Sequence, residues 1–315
     1  MCEDPWWQFV RFEPVLKRIL VPTDGSTGSQ VAQQVAALIA KAFKSKVTVI
    51  HAISSELGSL DYQYSWLTTG GVEDPLGSAY RSSEPPPAEL IKVYRKIEDS
   101  SYRKGEQILV EAVAFFKQEG VIADEKLVEH AEPAQAITKQ AHEGSYGLIV
   151  MGQRKDVGEE PHLGSTAERV TRHSDTPVLI VRSAREIQRM LIPFDGSRNA
   201  EKALQYAAYL AKNIGAKMTL LYVHHPELIA LRPEKAKQVE NRILSRASDI
   251  LEKTELDKRV ESGDPAKIII QTAKAGNYDL IVMGSKGHSA VERYFLGSVS
   301  EHVIHYTDSS VLLVR

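Results

Sequence analysis

The chain carries a single cysteine, Cys2, so no disulfide can form within it, and a reducing compartment is the expectation. No apolar run approaches the roughly 18 residues that a membrane-spanning helix needs. The N-terminus lacks the charged-then-apolar plan of a secretory signal, which again points to the cytoplasm. A formal charge of −2 over 315 residues leaves no excess of basic side chains, and this argues against nucleic acid as a partner. Enzyme signatures are scarce as well. There is no phosphate-loop lysine pattern and no G-x-G-x-x-G fingerprint, and no nucleophilic triad is readable from residue order. His302 and His305 share a helical face without further ligands beside them in sequence. They read as surface or interface residues, and no metal site built from protein side chains is expected.

What the chain does have is one unit written twice. Asp24-Gly25-Ser26 recurs as Asp195-Gly196-Ser197, and Lys46-Val47-Thr48 as Lys217-Met218-Thr219. Glu132-Pro133-Ala134 recurs as Asp264-Pro265-Ala266, and Pro177-Val178-Leu179-Ile180-Val181 as Ser310-Val311-Leu312-Leu313-Val314. The early pairs stand 171 positions apart (24 to 195) and the later glycines 132 (152 to 284), so the first copy holds about 39 extra residues in its middle. The organisation expected is an N-terminal extension over 1–16, a first domain over 17–183 with an insertion at about 54–90, and a second domain over 186–315. The extension contains Trp6, Trp7 and Phe9, which read as packing residues. The insertion holds Tyr62, Tyr64, Trp66, Tyr80 and the run Pro85-Pro86-Pro87. Because it follows a strand's C-terminal end, it reads equally as a cap over the first site or as a surface loop.

Each copy alternates short apolar runs with longer helical patterns, the sign of a parallel sheet with helices on both faces. In the second copy Met190–Pro193, Met218–His224, a run around Val260, Leu280–Met283 and Val311–Val314 read as strands. Between them Leu204, Ala207, Ala208, Ala211 and Ile214 mark a helix that Gly215 ends, and Asp264-Pro265 opens another. Thr27 and Gln30 have the spacing of a capping box. The helix between Glu234 and Lys258 mixes charges and reads as a solvent face. The fold class is α/β, doubly wound, made twice.

The chemistry concentrates after the fourth strand of the second copy, where the spacing is Gly-x2-Gly-x9-Gly-Ser: Gly284, Gly287, Gly297, Ser298. Gly284 and Gly287 would allow positive φ and a close approach by phosphate. Gly297-Ser298 starts a helix whose free N–H groups favour an anion, with Ser298 and Ser300 as further donors. Asp195 lies beside this loop only if the first and fourth strands are sheet neighbours. Asp24 and Asp195 read as ligand-binding residues or as helix caps, two roles that can coexist. The first copy has Gly152 and Gly164-Ser165 but puts Lys155, beside Arg154, where the second glycine should stand. One working site and one altered site is the expectation.

These motifs carry a resemblance. From about Lys17 to Arg315 the chain resembles a tandem universal stress protein, through Arg18-Ile19-Leu20-Val21-Pro22-Thr23-Asp24-Gly25-Ser26, Asp279-Leu280-Ile281-Val282-Met283-Gly284-Ser285-Lys286-Gly287 and Leu296-Gly297-Ser298-Val299-Ser300. That resemblance implies two Rossmann-like domains of five mainly parallel strands in order 3-2-1-4-5, the last strand often pairing with another domain's last. It also implies ATP or AMP as ligand, with magnesium or manganese on the phosphates. By the same resemblance Pro193 and Val223 would line the adenine end, Asp195 would hold ribose or base, and Gly263 would let the chain pass close to the ligand. Met283 would pack nearby, Gly284 and Gly287 would cradle phosphates, and Gly297, Ser298, Val299 and Ser300 would hold the remaining oxygens. Pro22, Asp24, Gly152, Gly164 and Ser165 are the weaker counterparts in the first domain. There Ala52, Ala131 and Lys155 replace Val223, Gly263 and Gly287, which argues against ATP in the family manner. The implied role is a nucleotide-dependent stress-response regulator. A slow ATPase or self-phosphorylating protein, and a scaffold with structural nucleotide, are the alternatives. The exposed last strands read as pairing the two copies with each other, with a homodimer as a further expectation, and an unidentified regulatory protein is the other partner expected.

Overall fold

Runs such as Leu148–Val150 have no solvent-facing side. The computed structural model, which describes residues 16–53, 88–153, 163–251, 256–285 and 296–315, buries them under helices on both faces of one sheet. The first domain runs β1 (Arg18–Pro22), α1 (Thr27–Phe43), β2 (Lys46–Ala52), α2 (Ala88–Gln118), β3 (Ala123–Val128), α3 (Pro133–Glu143), β4 (Leu148–Gly152), α4 (Ser165–His173) and β5 (Val178–Val181). The second repeats this as β6 (Arg189–Pro193), α5 (Arg198–Ile214), β7 (Lys217–His224), α6 (Pro226–Leu231), α7 (Pro233–Leu251), β8 (Asp257–Ser262), α8 (Pro265–Ala275), β9 (Leu280–Gly284), α9 (Ser298–Tyr306) and β10 (Ser310–Val314). The short α6 had no sequence signal. Helix α2 starts at Ala88, so the last three residues of the expected insertion are helical, and residues 54–87 lie outside the described residues.

Each domain has the expected strand order 3-2-1-4-5, and the two sheets fuse into one of ten strands. All neighbours within a domain are parallel, while β5 and β10 meet antiparallel, with Val311 opposite Ile180 and Leu312 opposite Leu179. The last strands are therefore covered by each other. The outer edges are β3 and β8, whose exposed Asp124, Glu125, Lys126 and Asp257, Lys258, Arg259 discourage further strand addition.

Both core layers cross the domain boundary. One joins Ile19, Val47 and Leu148 to Met190, Leu204 and Leu280, and the other joins Leu20 and Ile149 to Leu191 and Ile281. Tyr206 of α5, 1% exposed, donates its hydroxyl hydrogen to Gly147 O of the other domain at 3.1 Å. Phe43 and Tyr209 pack across the same boundary with centroids 5.1 Å apart. Leu16 was assigned to the N-terminal extension, but it is 1% exposed and belongs to the first core layer. Burial of that kind is worth roughly 1.5–3 kcal/mol. The rest of the extension lies outside the described residues.

Local capping corrects one expectation. The capping residue of α1 is Ser26, whose hydroxyl oxygen accepts from Ser29 N at 3.3 Å; Thr27 is already in the first turn, so the Thr27–Gln30 box does not form. Helix α5 ends as expected on Gly215 in the left-handed region, at φ 74°, whereas its counterpart α1 places Lys44 there at φ 53°.

Candidate functional site

Strands β6 and β9 are neighbours, with Met190 opposite Leu280 and Leu191 opposite Ile281. The condition for bringing Asp195 to the end of β9 is therefore met. Beyond Pro193, Phe194 N bonds to Leu221 O at 2.9 Å, and the Asp195 carboxylate accepts from Ser197 N at 2.9 Å. Ser197 then caps α5 by accepting from Ala200 N at 3.3 Å. Asp24, Ser26 and Ser29 repeat this arrangement in the first domain. The aspartates thus shape the turn, and capping, one of the two roles open to them, falls to the serines. Burial pushes the Asp24 carboxyl up, but hydrogen bonds from Ser26 and Ser29 outweigh it and hold the group below its ordinary range.

Gly284 ends β9 without the positive φ expected of it, since left-handed glycines among the described residues are elsewhere. Its need for glycine is clearance. A Cβ there would lie 2.8 Å from both C and Cβ of Asn199, at the start of α5. At Gly152 the equivalent atom would lie 1.9 Å from Gly28 O. Each fourth strand thus runs directly against the helix that follows the aspartate turn. Gly287, Lys286 and His288 lie outside the described residues, as do Arg154 and Lys155. The two ends of the second loop do meet: Gly297 N donates to Ser285 O at 2.8 Å.

Gly297 caps α9 with no side-chain hydrogen bond, and Gly164 does the same for α4. Side chains of Ser26, Glu132, Ser197 and Asp264 cap α1, α3, α5 and α8. The first-turn amides at Ser298 and Val299, and at Ser165 in the first domain, therefore donate no hydrogen bond to a side chain of their capping residue and suit an anion. Ser300 differs from the expectation. It is buried and donates its hydroxyl hydrogen to Gly284 O at 2.8 Å, so that proton pins α9 to β9 and is not free for a phosphate. Gly263 has φ 151°, a conformation suited to glycine, and its N–H bonds to His224 O at 3.0 Å. Met283 is buried in the second core layer, against which the half-buried Val223 also packs. In the first domain Pro22 ends β1 as Pro193 ends β6.

Sequence reasoning missed a polar cluster beside this site. Glu240, on the helix read as a solvent face, is buried and accepts from His224 Nε2 at 2.9 Å and from Lys237. Those two bonds hold its carboxyl below the ordinary range. His224 Nδ1 is buried with no hydrogen-bond partner among the described residues, and the ring packs edge-on against Tyr222 at 4.7 Å. Burial, with smaller contributions from Glu240 and Asp195, pushes the Tyr222 phenol up. Arg246 of the same helix forks onto Glu201 of α5 at 2.6 and 3.2 Å. The only signal in sequence was a histidine ending an otherwise apolar strand. His305 also has carboxylates nearby after all, Glu168 and Glu301, with ligand atoms within 4.8 Å of one another. Arg172 bonds to both carboxylates, an ion-pair arrangement that accounts for them without a metal.

The model of the universal stress protein family matches residues 16–182 and again 186–315. The chain belongs to that family. A universal stress protein of Synechocystis sp. is 24% identical over 309 residues, covering 95% of this chain and all of that relative. A Staphylococcus aureus protein assigned to the same family is 33% identical over 139 residues, covering 41% of this chain and 84% of the relative. Among solved structures, a universal stress protein from Archaeoglobus fulgidus superposes with a TM-score of 0.68 at 23% identity, covering 95% of this chain and 98% of that one. It shares the fold of this tandem universal stress protein. No helix among the described residues is long and apolar enough to cross a membrane.

Proposed function

We propose that this tandem universal stress protein is an adenine-nucleotide-responsive regulator whose C-terminal domain holds ATP or AMP. The observation that carries the reading is the convergence of the Asp195 turn and the α9 N-terminus, whose capping residue is a glycine, at the ends of two adjacent parallel strands. Asp195, Pro193, Val223 and Gly263 would take the nucleoside end. The amides from Gly297 to Val299 would take the phosphates, with Gly284 keeping the strand close to α5. A magnesium or manganese ion would ride on phosphate oxygens and water, since the acid in the first turn of α9, Glu301, is already paired with Arg172. The first domain keeps the aspartate turn and the glycine cap at Gly164, but Ala131 stands where Gly263 allows a close pass. We therefore assign ATP to the second domain. Regulation rather than turnover fits the described residues, among which no group at the phosphate end is placed as a general base. With β5 and β10 paired to each other, any assembly of whole chains uses other surfaces. A cytoplasmic place of action accords with the lone Cys2.

The test is mass analysis of nucleotide that co-purifies with the protein, followed by calorimetry. ATP should bind the wild-type chain and be lost in Asp195→Ala. Equal affinity in the two would remove Asp195 from the site, and hydrolysis above about one event per second would replace the regulator by an ATPase.

A further inference from the structure

We propose that Arg182, a residue of the first domain, positions the phosphate-binding end of α9 in the second domain, so that the nucleotide site of one domain is completed by an arginine of the other. The inference rests on the reading that α9 receives the phosphates.

Arg182 directly follows β5, and its main-chain N–H bonds to Ser310 Oγ at 3.2 Å. Its guanidinium is buried, at 8% residue exposure, and it hydrogen-bonds to no carboxylate among the described residues. Instead Nη1 donates to Gln153 Oε1 and Nη2 donates to Ile304 O, in the last turn of α9. A buried cation with no hydrogen-bonded carboxylate is costly: burial pulls this guanidinium down to about 10, and the charge of Asp308 offsets that only in part. The negative end of the helix dipole adds to that compensation. An apolar side chain would fill the space at lower cost, so the arginine's contribution is directional: it fixes where α9 ends.

Fixing that end matters because α9 is one short rod, nine residues or about 13 Å long at ~1.5 Å per residue. Near its N-terminus Ser300 holds Gly284 O and Gly297 holds Ser285 O. With the N-terminus held there, Arg182 at the other end is the second fixed point that sets the direction of the helix axis, and with it the direction in which the first-turn N–H groups aim. The duplicated unit supplies an independent instance. Arg315 follows β10 as Arg182 follows β5, and its Nη2 donates to Thr171 O at 2.8 Å and to Arg172 O in the last turn of α4. Each domain's final arginine therefore grips the other domain's helix.

Calorimetry on the full chain with ATP and with adenosine tests this. Arg182→Gln should weaken ATP by about tenfold, the scale of one charged interaction at a helix terminus, and leave adenosine within about twofold. Arg315→Gln removes the same kind of bond from the other helix and should leave both ligands unchanged. If Arg182→Gln does not fold, Arg182→Lys carries the test; it keeps the charge but lacks the planar fork that reaches Gln153 and Ile304 from separate nitrogens, and about threefold weaker ATP binding is expected. Unchanged ATP affinity in the Arg182 variants overturns the proposal. So does an equal loss in the Arg182 and Arg315 variants, or a parallel loss of adenosine, since each would reflect general loosening of the interface. A wild-type chain that binds neither ligand would instead remove the nucleotide reading, and this inference with it.

Discussion

Adding one methyl group at Gly152 or Gly284 should break the two domains to different degrees. Ordinary contacts between carbon atoms fall at about 3.5–4.0 Å. A Cβ at Gly152 would lie 1.9 Å from Gly28 O and 2.2 Å from Gly28 C, both main-chain atoms in the first turn of α1. No rotamer change can move them, so α1 must retreat by roughly 1.5 Å to reach contact distance. At Gly284 the nearest atoms are Asn199 C and Cβ at 2.8 Å and Ala200 N at 3.0 Å, which calls for a shift of roughly 0.7 Å. Overpacking costs typically about 1–3 kcal/mol. We expect about 3 kcal/mol for Gly152→Ala and about 1–2 for Gly284→Ala. At about 2–4 °C per kcal/mol for domains of this size, the melting temperature should fall by about 6–12 °C in the first variant and by about 2–8 °C in the second. Urea unfolding followed by circular dichroism measures both. Gly284→Ala should also weaken ATP, because the wedge parts the Asp195 turn from α9. The reasoning is refuted if Gly152→Ala unfolds within about 0.5 kcal/mol of wild type, or if Gly284→Ala is the more damaging change.

Three further outcomes are open to measurement. Ser197→Ala, which removes the α5 cap, should cost about 1 kcal/mol in urea unfolding, and Ser26→Ala a similar amount; no change in either would reassign the caps. Tyr206→Phe deletes the buried bond to Gly147 O across the domain boundary and should cost about 1 kcal/mol; a stabilised variant would count against that bond. Glu240, held below its ordinary value of 4.5 by Lys237 and His224, contributes stability that is present above that value and disappears as pH falls through the lower folded one. Glu240→Gln should therefore melt below wild type at neutral pH, with the gap narrowing on acidification. A gap that widens in acid would reverse the sign of this argument.

The sheets were legible because a strand covered on both faces has to be apolar throughout, and the duplication showed each strand twice. The aspartate turn was legible for the same reason. What escaped was decided in three dimensions. Thr27 and Ser26 are equally good capping residues by type, and only the extended backbone of Ser26, at ψ 160°, makes it the one. A glycine at 284 signals a constraint without saying whether the chain must turn or a neighbour must pass, and the proximity of Asn199 makes it the second. The Ser300 hydroxyl could face a ligand or a carbonyl, and the Gly284 carbonyl is closer. Glu240 sits in a run of mixed charges, so its burial depended on His224 in an element that periodicity treats separately. Arg182 and Arg315 are different: Val181-Arg182 and Val314-Arg315 already match in the repeat, so their shared role had a sequence trace.

The antiparallel seam between β5 and β10 also sets the directions in which the molecule looks. All strands of one half point one way and all strands of the other half point the opposite way, so the rims at the strands' C-terminal ends open on opposite sides of the protein. A single small molecule cannot bridge them, and a protein that docks over the rim carrying Asp195 leaves the rim carrying Asp24 uncovered. Two partners could therefore dock on the two halves at once while those halves share one continuous sheet.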